Sequence, residues 1–477
     1  MEPKNIRFGG TTPPFPPIAY VLLAITFVLL LAMPRKYLPF AFIVAGIIFP
    51  LQPSIVIAGL HFMTLRVLTI TCWLRILHGR FISKKEPPLG RLNSIDRVFI
   101  LWALASATAF SLLYHNAEAV TNQMGFLLNA FGIYFLLRFL IRDAEGARNA
   151  VKAFAVAAVL VAACMVSEQA TGRNLFGVFG VLAITPVREG LLRSQASFEH
   201  SILAGNFGAT LFPVFVGLWV LGKKYRKYAT VGIVASIVIT FTSVSSTPVV
   251  AFLAAIMGLC LWPIRKGMRW VRWGIVLMLI ALQIVMKAPV WALISHVDIV
   301  PGNSSWHRYA LVDQFIRHFK DWWLVGTADN GSWGWDMWDQ ANEFVAQGET
   351  GGLLTLVLFI TMIVRAFRSV GKAREASESD TRNAFFFWAL GVAVFAHILA
   401  FMGISYFDQT ILEWFALLAI IGAATATQAD SLALAPAAEK TKTRPELRLA
   451  YWGPSGMTGV AAGPVNFREA SRDILEK

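Results

Sequence analysis

Long apolar segments recur along almost the whole chain, and they restrict its fold more than any other feature. A helix of roughly 20 apolar residues is long enough to cross a membrane. Segments that approach or meet this length lie at residues 17–33, 38–51, 54–77, 96–114, 119–140, 149–166, 201–221, 229–243, 247–263, 273–290, 350–367, 383–402 and 409–427. The chain is 56% hydrophobic and only 15% charged. A soluble protein of this size would need more polar residues to cover its surface. We predict an all-α polytopic membrane protein with about 12 or 13 transmembrane helices.

Basic residues cluster in alternate connections between these segments. The basic connections lie at 35–36, 75–91, 138–148, 223–227, 265–272 and 365–382. Lys and Arg in short loops favour the cytoplasmic side of a membrane. The alternation therefore explains most of the net charge of +14 without a nucleic-acid partner. It predicts a cytoplasmic C terminus and two non-cytoplasmic loops, at 167–200 and 291–349.

Composition divides the chain into three parts. A polar N-terminal segment at 1–16 precedes a transmembrane domain at 17–427, which includes both loops, and a tail follows at 428–477. The tail is first Ala-rich and then mixed in charge, and it lacks sustained periodicity. Such composition is typical of disorder, so we predict a cytoplasmic, mostly disordered tail.

The sequence offers no recognisable metal or nucleotide motif. The three cysteines all lie in apolar runs and match no metal-ligand or disulfide spacing. Neither loop contains an acid pair of the D-x-D type or a cluster of Cys and His. We therefore predict no metal and no cofactor, so that recognition of phosphate would rest on arginine.

The longer loop contains a predicted surface helix that carries an arginine on its apolar side. Residues 305–323 repeat apolar side chains every three or four positions. Arg308 lies on this stripe, whereas Arg317 lies on the opposite side. A buried arginine requires a phosphate, a carboxylate or another anionic partner. A structural ion pair is the alternative. The neighbouring His307 is a candidate general base.

Seven of the 16 tryptophans lie in the longer loop and its edges, at 291–352. The segment 331–344, GSWGWDMWDQANEF, alternates aromatic residues with Gly, Asp and Asn. This pattern suits stacking on sugar rings and hydrogen bonding to hydroxyls. The predicted sugar contacts are Trp333, Trp335, Trp338 and Asn342. A belt of aromatic residues at the membrane surface is the structural alternative.

Arginines also occur in the shorter loop, against the charge bias of its predicted side. Arg188 and Arg193 belong to this loop, and His200 ends it. An anionic ligand would explain why they lie there, although contacts with lipid headgroups are an alternative. We predict that both arginines bind substrate and that His200 is a candidate base.

One further arginine falls near the middle of a predicted span. Arg66 lies within the apolar segment 54–77. An arginine inside a membrane span is a hypothesis for a functional site, so we predict that Arg66 binds substrate. The alternative is a pair with a buried acid, such as Glu168.

Three segments of the chain are similar to the O-antigen ligase and O-antigen polymerase superfamily of bacterial envelope glycosyltransferases. Residues 168–176, EQATGRNLF, resemble the E-x-x-T-G-x-N-x-F segment of that family. Residues 193–204, RSQASFEHSILA, resemble its R-x-x-x-x-F-x-(H/N)-x-x-x-A segment, and residues 306–326 resemble its long-loop helix with a later W-x-x-G. With the span pattern, the resemblance covers roughly residues 15–425.

The resemblance implies a GT-C-like inner-membrane protein with a large periplasmic loop. Such proteins move a glycan from undecaprenyl diphosphate to a saccharide or lipid-linked acceptor without metal, and arginines at the positions of Arg193 and Arg308 hold the diphosphate. The family's His-Asn pair is incomplete here, since Gln340 or Ala341 stands in place of the histidine. This departure favours a polymerase over a ligase and leaves the base open among Glu343, His307, Glu349 and His200.

Two other functions compete with glycan transfer. A glycolipid flippase or transporter would use charged residues along the spans and often two related halves. The spans here are poor in charge, and no internal repeat is evident. A non-catalytic protein of envelope polysaccharide assembly is the third hypothesis.

Overall fold

A computed structural model describes residues 16–51, 54–57, 60–82, 91–296, 299, 305–339 and 341–442. The predicted N-terminal segment, apart from its last residue, lies outside the described residues, and so does the chain from 443 onwards. The chain divides into two compact units, Met1–Ser431 and Leu432–Lys477. Everything described below belongs to the first unit, except the end of the last helix.

Helices make up 79% of the structure. They are α1 (Pro17–Ala32), α2 (Leu38–Ile48), α3 (Thr64–Leu77), α4 (Ser94–Tyr114), α5 (Ala117–Leu140), α6 (Ala144–Thr171), α7 (Ser201–Val220), α8 (Lys223–Thr242), α9 (Ser246–Cys260), α10 (Met268–Val285), α11 (Ser305–Arg317), α12 (Phe319–Trp322), α13 (Glu343–Ala376), α14 (Thr381–Phe401) and α15 (Gln409–Lys442). Four short strands form two antiparallel hairpins, β1–β2 (Ser54–Ile57 with Leu60–Met63) and β3–β4 (Val187–Arg188 with Leu191–Leu192).

Eight helices of the described chain are long enough and apolar enough to cross a membrane. They are Ser94–Tyr114, Ala117–Leu140, Ala144–Thr171, Ser201–Val220, Trp262–Val285, Glu343–Ala376, Thr381–Phe401 and Gln409–Ala426. A chain with this many such helices is a multi-pass membrane protein. The prediction of an all-α polytopic membrane protein is confirmed.

The number of such helices is smaller than the 12 or 13 predicted. Every predicted span contains a helix, but α1, α2, α3 and α9 have only 16, 11, 14 and 15 residues. Helix α8 has 20 residues, yet it begins with the charged sequence KKYRK. The apolar segments overestimate the number of spans because some of the helices within them are short or partly charged.

The third predicted span, at 54–77, is wrong in its first half. Residues Ser54–Ile57 and Leu60–Met63 pair as an antiparallel hairpin, and α3 begins only at Thr64. A short apolar run rich in β-branched residues fits a strand as well as a helix, and periodicity alone does not separate the two. Arg66 therefore lies in the first turn of α3 and not in the middle of a span.

The predicted tail begins as a helix, and its prediction as mostly disordered stays a prediction. The backbone of α15 continues as helix to Lys442, so residues 428–442 are helical. The rest of the predicted tail, from 443, lies outside the described residues.

Helix α7 is the central helix of the bundle. Fifteen of its 20 residues are buried, and it packs against α8, α9 and α14. Small residues such as Gly205 and Gly208 allow α9 and α8 to approach it closely. Because α7 begins directly after His200, the shorter loop is anchored to a helix that is mostly buried.

The longer loop meets α13 at Gly326, the glycine of the W-x-x-G segment. Gly326 has a φ of +99°, and a Cβ there would overlap the carbonyl oxygen of Glu349. The next residue, Thr327, donates its N–H to that same carbonyl at 2.8 Å. Only glycine allows this close approach of the two backbones.

Gly326→Ala is therefore expected to lower the stability of the folded protein by more than about 2 kcal/mol, because it adds backbone strain and a clash. The measurement is the thermal unfolding midpoint of the purified protein in detergent. Gly371→Ala in α13 is the control, since no atom lies within 4 Å of the added Cβ. Equal midpoints for the two variants would contradict the prediction.

Candidate functional site

The shorter loop is held in place by Glu168, near the end of α6. Its buried carboxylate accepts hydrogen bonds from the backbone N–H of Gln195 at 3.0 Å and of Ala196 at 2.6 Å. The hydroxyl of Thr185 donates to the same carboxylate at 3.4 Å. One acid thus binds two separate parts of the loop. The alternative in which Glu168 pairs with Arg66 is wrong.

Asn174 supplies a second connection across this loop. Its Oδ1 accepts the N–H of Phe176 at 2.9 Å, and its Nδ2 donates to the carbonyl of Ala196 at 2.9 Å. Helix α6 ends at Thr171, and the next residue, Gly172, has a left-handed conformation that caps it. The glutamate, glycine and asparagine of the EQATGRNLF segment therefore all shape the loop.

The loop so formed places Arg193 at the centre of the candidate site. Arg193 follows the β3–β4 hairpin and is only 9% exposed. Its Nη2 donates to the hydroxyl of Ser245 at 2.5 Å. Its Nε is buried and has no hydrogen-bond partner among the described residues. A buried donor of a charged group without a partner is costly, so this guanidinium can bind a further acceptor.

Arg308 is buried as predicted, in the first turn of α11. It is 6% exposed, and Leu311 and Phe315 on the same side of the helix are buried too. Its Nε donates to the carbonyl of Gly403, directly after α14, at 3.2 Å. Arg317, on the opposite side, is exposed and pairs with an acid of its own helix. The predicted positions of Arg308 and Arg317 on opposite sides are confirmed. The single helix predicted over 305–323 is wrong, because α11 ends at Arg317 and the separate α12 begins at Phe319.

The two loops bring their arginines together. Burial, together with the positive charges of Arg188 and Arg308, lowers the pKa of Arg193 to about 10. Arg188 comes from the same loop, in β3, and Arg308 from the longer loop. We call these three residues the arginine cluster. A buried cation whose named charged neighbours are both positive favours an anionic ligand.

A small cavity adjoins the arginine cluster. It has a volume of about 90 Å³ and lies between α9, α11 and the end of α14. Arg308 and Thr247 are polar members of its wall, and the remaining lining is Val250, Ile294, Leu399, Met402 and Gly403. One arginine of the cluster, Arg308, thus forms part of a cavity wall that is otherwise mainly apolar.

His200 lies beside the cluster and caps α7. Its Nδ1 accepts the N–H of Ile202 at 3.2 Å. Burial lowers the pKa of His200 to about 4, and the charges of Arg193 and Arg188 contribute. The imidazole is therefore neutral near pH 7. Because Nδ1 is the acceptor, the proton is on Nε2, and this arrangement leaves no basic nitrogen for His200 to act as a general base.

This cap predicts a pH dependence of stability. Between pH 6.5 and about 4 the unfolded chain takes up a proton that folded His200 does not, so the stabilisation is complete above pH 6.5 and is lost as the pH falls towards 4. His200→Asn keeps a capping acceptor that does not titrate. We expect the unfolding midpoint of this variant to fall less over that interval than the midpoint of the wild type.

The control for this measurement is His296→Asn, which removes an exposed histidine. It should retain the pH dependence of the wild type. If the His200→Asn and wild-type midpoints fall in parallel from pH 6.5 to 4, the assignment to His200 is wrong.

The aromatic segment divides into a buried and an exposed part. Trp333 is only 6% exposed and stacks on His318, with ring centroids 4.9 Å apart. It belongs to a hydrophobic cluster with Phe315 and Trp322, so its prediction as a sugar contact is wrong. Trp335 and Trp338 are 88% and 73% exposed, and their role stays a prediction.

The carboxylates at the start of α13 support the loop. Asn342 caps α13, since its Oδ1 accepts the N–H groups of Phe344 and Val345. Glu343 accepts the N–H of Tyr406 at 2.5 Å and the Nε2–H of Gln347 at 2.8 Å. These are structural contacts of buried side chains. Neither side chain is open towards a substrate. This argues against the predicted roles of Asn342 in binding and of Glu343 in catalysis.

Glu349 has a similar position one to two turns further along α13. It is buried and accepts the Nδ2–H of Asn330 at 3.1 Å. Asn330 in turn donates to the carbonyl of Met337 at 2.8 Å. Glu349 thus holds the aromatic segment against α13, which argues against its prediction as a base. Of the two residues that could stand in place of the histidine in the resembled family, Ala341 is described and Gln340 lies outside the described residues.

His307 lies close to Asp336 and Asp339, and no sequence motif links these three residues. Its Nε2 is 3.2 Å from the carbonyl oxygen of Asp339 and 3.9 Å from the carboxylate of the same residue. One ligand atom each from His307, Asp336 and Asp339 lies within 4.8 Å of the others. Nitrogen and carboxylate ligands of this kind could hold a divalent cation. The loop contains no acid pair of the D-x-D type, as the sequence indicated, but its fold brings Asp336 and Asp339 together with His307.

Arg66 has its named contacts on α5. Its Nε donates to Oδ1 of Asn129 at 2.9 Å. A Cβ at Gly125 would come within 2.8 Å of its Nη2. The guanidinium of Arg66 therefore packs against α5. These contacts do not support its predicted role in binding substrate, which stays a prediction.

Two site residues were missed by the sequence analysis. Ser245 follows α8 in the hydroxyl-rich sequence SVSST, and Gly403 follows α14. Both contact arginines that are far away in the chain, so no local pattern marks them.

No family model matches this chain, and no curated protein matches its sequence. The function has to be inferred from the chemistry of the site.

Proposed function

We propose that the arginine cluster binds the diphosphate of an undecaprenyl-linked glycan and that the protein polymerises or transfers this glycan. The observation that carries the proposal is Arg193, which is buried, feels the positive charges of Arg188 and Arg308, and has an Nε without a hydrogen-bond partner among the described residues. Guanidinium groups form bidentate bonds to phosphate oxygens. In this proposal the protein is a GT-C-like enzyme of the bacterial inner membrane, with both loops periplasmic and its C terminus cytoplasmic.

The proposed reaction is a displacement at the anomeric carbon of the donor sugar. A hydroxyl oxygen of the acceptor forms the new glycosidic bond while the bond from that carbon to the diphosphate oxygen breaks. Negative charge develops on the leaving diphosphate, where the arginine cluster stabilises it. The hydroxyl proton passes to a base. Such a proton transfer typically raises the reaction rate by 10²–10⁴-fold. Of the four predicted bases, His307 fits best, because Glu343, Glu349 and His200 are engaged in structural contacts.

The surroundings of the cluster fit the other parts of such a substrate. The mainly apolar cavity beside Arg308 suits the isoprenoid chain next to the diphosphate. The exposed rings of Trp335 and Trp338 suit the glycan. The proposed partners are therefore the lipid-linked glycan, a saccharide or lipid-linked acceptor, and the surrounding membrane lipids.

The test is the product that accumulates when the gene is deleted from its host. Single repeat units on the lipid carrier indicate a polymerase, and full-length polymer on the carrier indicates a ligase. Purified protein in proteoliposomes should form a glycosidic product from the lipid-linked donor. Movement of the glycolipid across the bilayer without such a product would instead identify a flippase and overturn the proposal.

A further inference from the structure

A second and larger cavity lies at the other end of the bundle. It has a volume of about 560 Å³ and is formed by the start of α6, the α7–α8 turn and the start of α14. The lining residues are Arg148, Leu221, Tyr225, Ser379, Asp380, Thr381, Arg382 and Asn383. Helix α7 has 20 residues and is therefore about 30 Å long. It separates this cavity from the arginine cluster, so the two sites face opposite sides of the membrane.

Two arginines of this cavity retain capacity for a ligand. Arg148 donates from Nη2 to Asn383 at 2.9 Å, but its Nε is buried without a hydrogen-bond partner among the described residues. The Nη1 of Arg382 lies 3.7 Å from the position of a Cβ on Gly222, so its guanidinium lies over the α7–α8 turn. A volume in the range of about 300–1,000 Å³ is typical of small-molecule sites.

The acids near these arginines are already engaged. Asp380 caps α14 by accepting the N–H of Arg382 at 3.1 Å, and it also accepts the Nδ2–H of Asn383 at 2.6 Å. Glu145 accepts hydrogen bonds from Lys224 at 2.9 Å and from the hydroxyl of Tyr225 at 2.7 Å, and it lies 3.6 Å from Arg148. Helix α8 begins after Gly222, which has no side chain to cap it, so its positive end also faces this region.

The surroundings indicate that the cavity opens at the level of the lipid headgroups. Trp219 and Tyr228 are exposed nearby. The guanidinium of Arg226 lies 4.8 Å from the Trp219 ring, and Lys152 lies 5.9 Å from the Tyr228 ring. Exposed aromatic rings paired with cations are typical of a membrane–water interface. Basic pockets between transmembrane helices at this level suit phosphate headgroups.

We propose that this cavity binds the phosphate headgroup of an anionic phospholipid through Arg148 and Arg382. The site is independent of the arginine cluster and of the proposed reaction, because it lies at the opposite end of α7. Its ligand chemistry is a phosphate ester, which a lipid or a soluble phosphate could supply. The position at the membrane surface favours the lipid.

The experiment measures lipid binding to the full-length protein in neutral detergent by native mass spectrometry. Phosphatidylglycerol is the anionic probe, phosphatidylcholine the zwitterionic one, and inorganic phosphate the soluble one. We expect phosphatidylglycerol to bind, and Arg148→Ala/Arg382→Ala to weaken this binding by roughly 30-fold. Arg382→Ala alone should weaken it by roughly 5-fold. The single variant keeps the bond between Arg148 and Asn383, so it tests the site even if the double variant folds poorly.

The matched control is Arg269→Ala/Arg272→Ala, which removes two exposed cations from another predicted loop of the same side. It should bind phosphatidylglycerol as the wild type does. Equal loss in this control would reduce the effect to general surface charge and overturn the proposal. Binding of inorganic phosphate with no preference for phosphatidylglycerol over phosphatidylcholine would overturn the assignment to a lipid. The lipid-binding measurement does not depend on glycan transfer. Its result therefore stands even if the proposed function is wrong.

Discussion

Arg193→Ala is expected to lower the rate of glycan transfer from a diphosphate-linked lipid by about 100-fold, because removal of one preorganised donor to a developing charge costs about that much. The side chain is 9% exposed and bonds to Ser245, so it is already positioned before a ligand binds. Arg308→Ala should have an effect of similar size. The measurement is product formation by purified protein in proteoliposomes with a defined donor.

Arg173→Ala is the matched control for these variants. Arg173 belongs to the same loop and is exposed, and it lies outside the arginine cluster. The control should transfer glycan at the wild-type rate. Arg193→Lys separates charge from shape, since lysine keeps the charge but not the planar fork of donors. Wild-type rates in folded Arg193→Ala and Arg308→Ala proteins would exclude the proposed role of the cluster.

Glu168→Gln is expected to reduce stability and transfer together. The carboxylate accepts the N–H groups of both Gln195 and Ala196, whereas a glutamine amide has one acceptor oxygen and would present its own donors to the other N–H. A buried donor left without a partner costs about 1–3 kcal/mol. Because Gln195 and Ala196 follow Arg193 by two and three residues, their release also displaces that arginine.

The readouts for Glu168→Gln are the unfolding midpoint in detergent, limited proteolysis of the loop at 172–200, and transfer activity. We expect a lower midpoint, faster cleavage within the loop and lower activity. Glu189→Gln is the control, because Glu189 is an exposed acid of the same loop. A Glu168→Gln protein that keeps the wild-type cleavage pattern but loses transfer would show that Glu168 does not act by holding the loop.

Sequence analysis predicted the membrane segments best because hydropathy is a local property. It failed at residues 54–63, where a short apolar run forms a hairpin and no period distinguishes strand from helix. It also overestimated the number of spans, because apolar composition extends past the ends of short helices such as α2.

The candidate site was predicted in part. The burial of Arg308 followed from helical periodicity, which fixes the side of a helix on which a residue lies. The contacts of Arg193 with Ser245 and of Arg308 with Gly403 join residues 52 and 95 positions apart, and no sequence pattern encodes such pairs. Composition likewise could not show that Trp333 points inward while Trp335, two residues later, is exposed.

Helix α10 differs from every other long apolar helix in having no buried residue. Its side chains meet no tightly packed neighbours within the described chain, so substitutions there remove few packing contacts. Only length and apolar character are required of such a helix. We therefore expect α10 to accept exchanges among leucine, isoleucine, valine and methionine that α7 would not. The sequence of α10 is then free to drift, and across related chains it should be the most variable of the membrane helices.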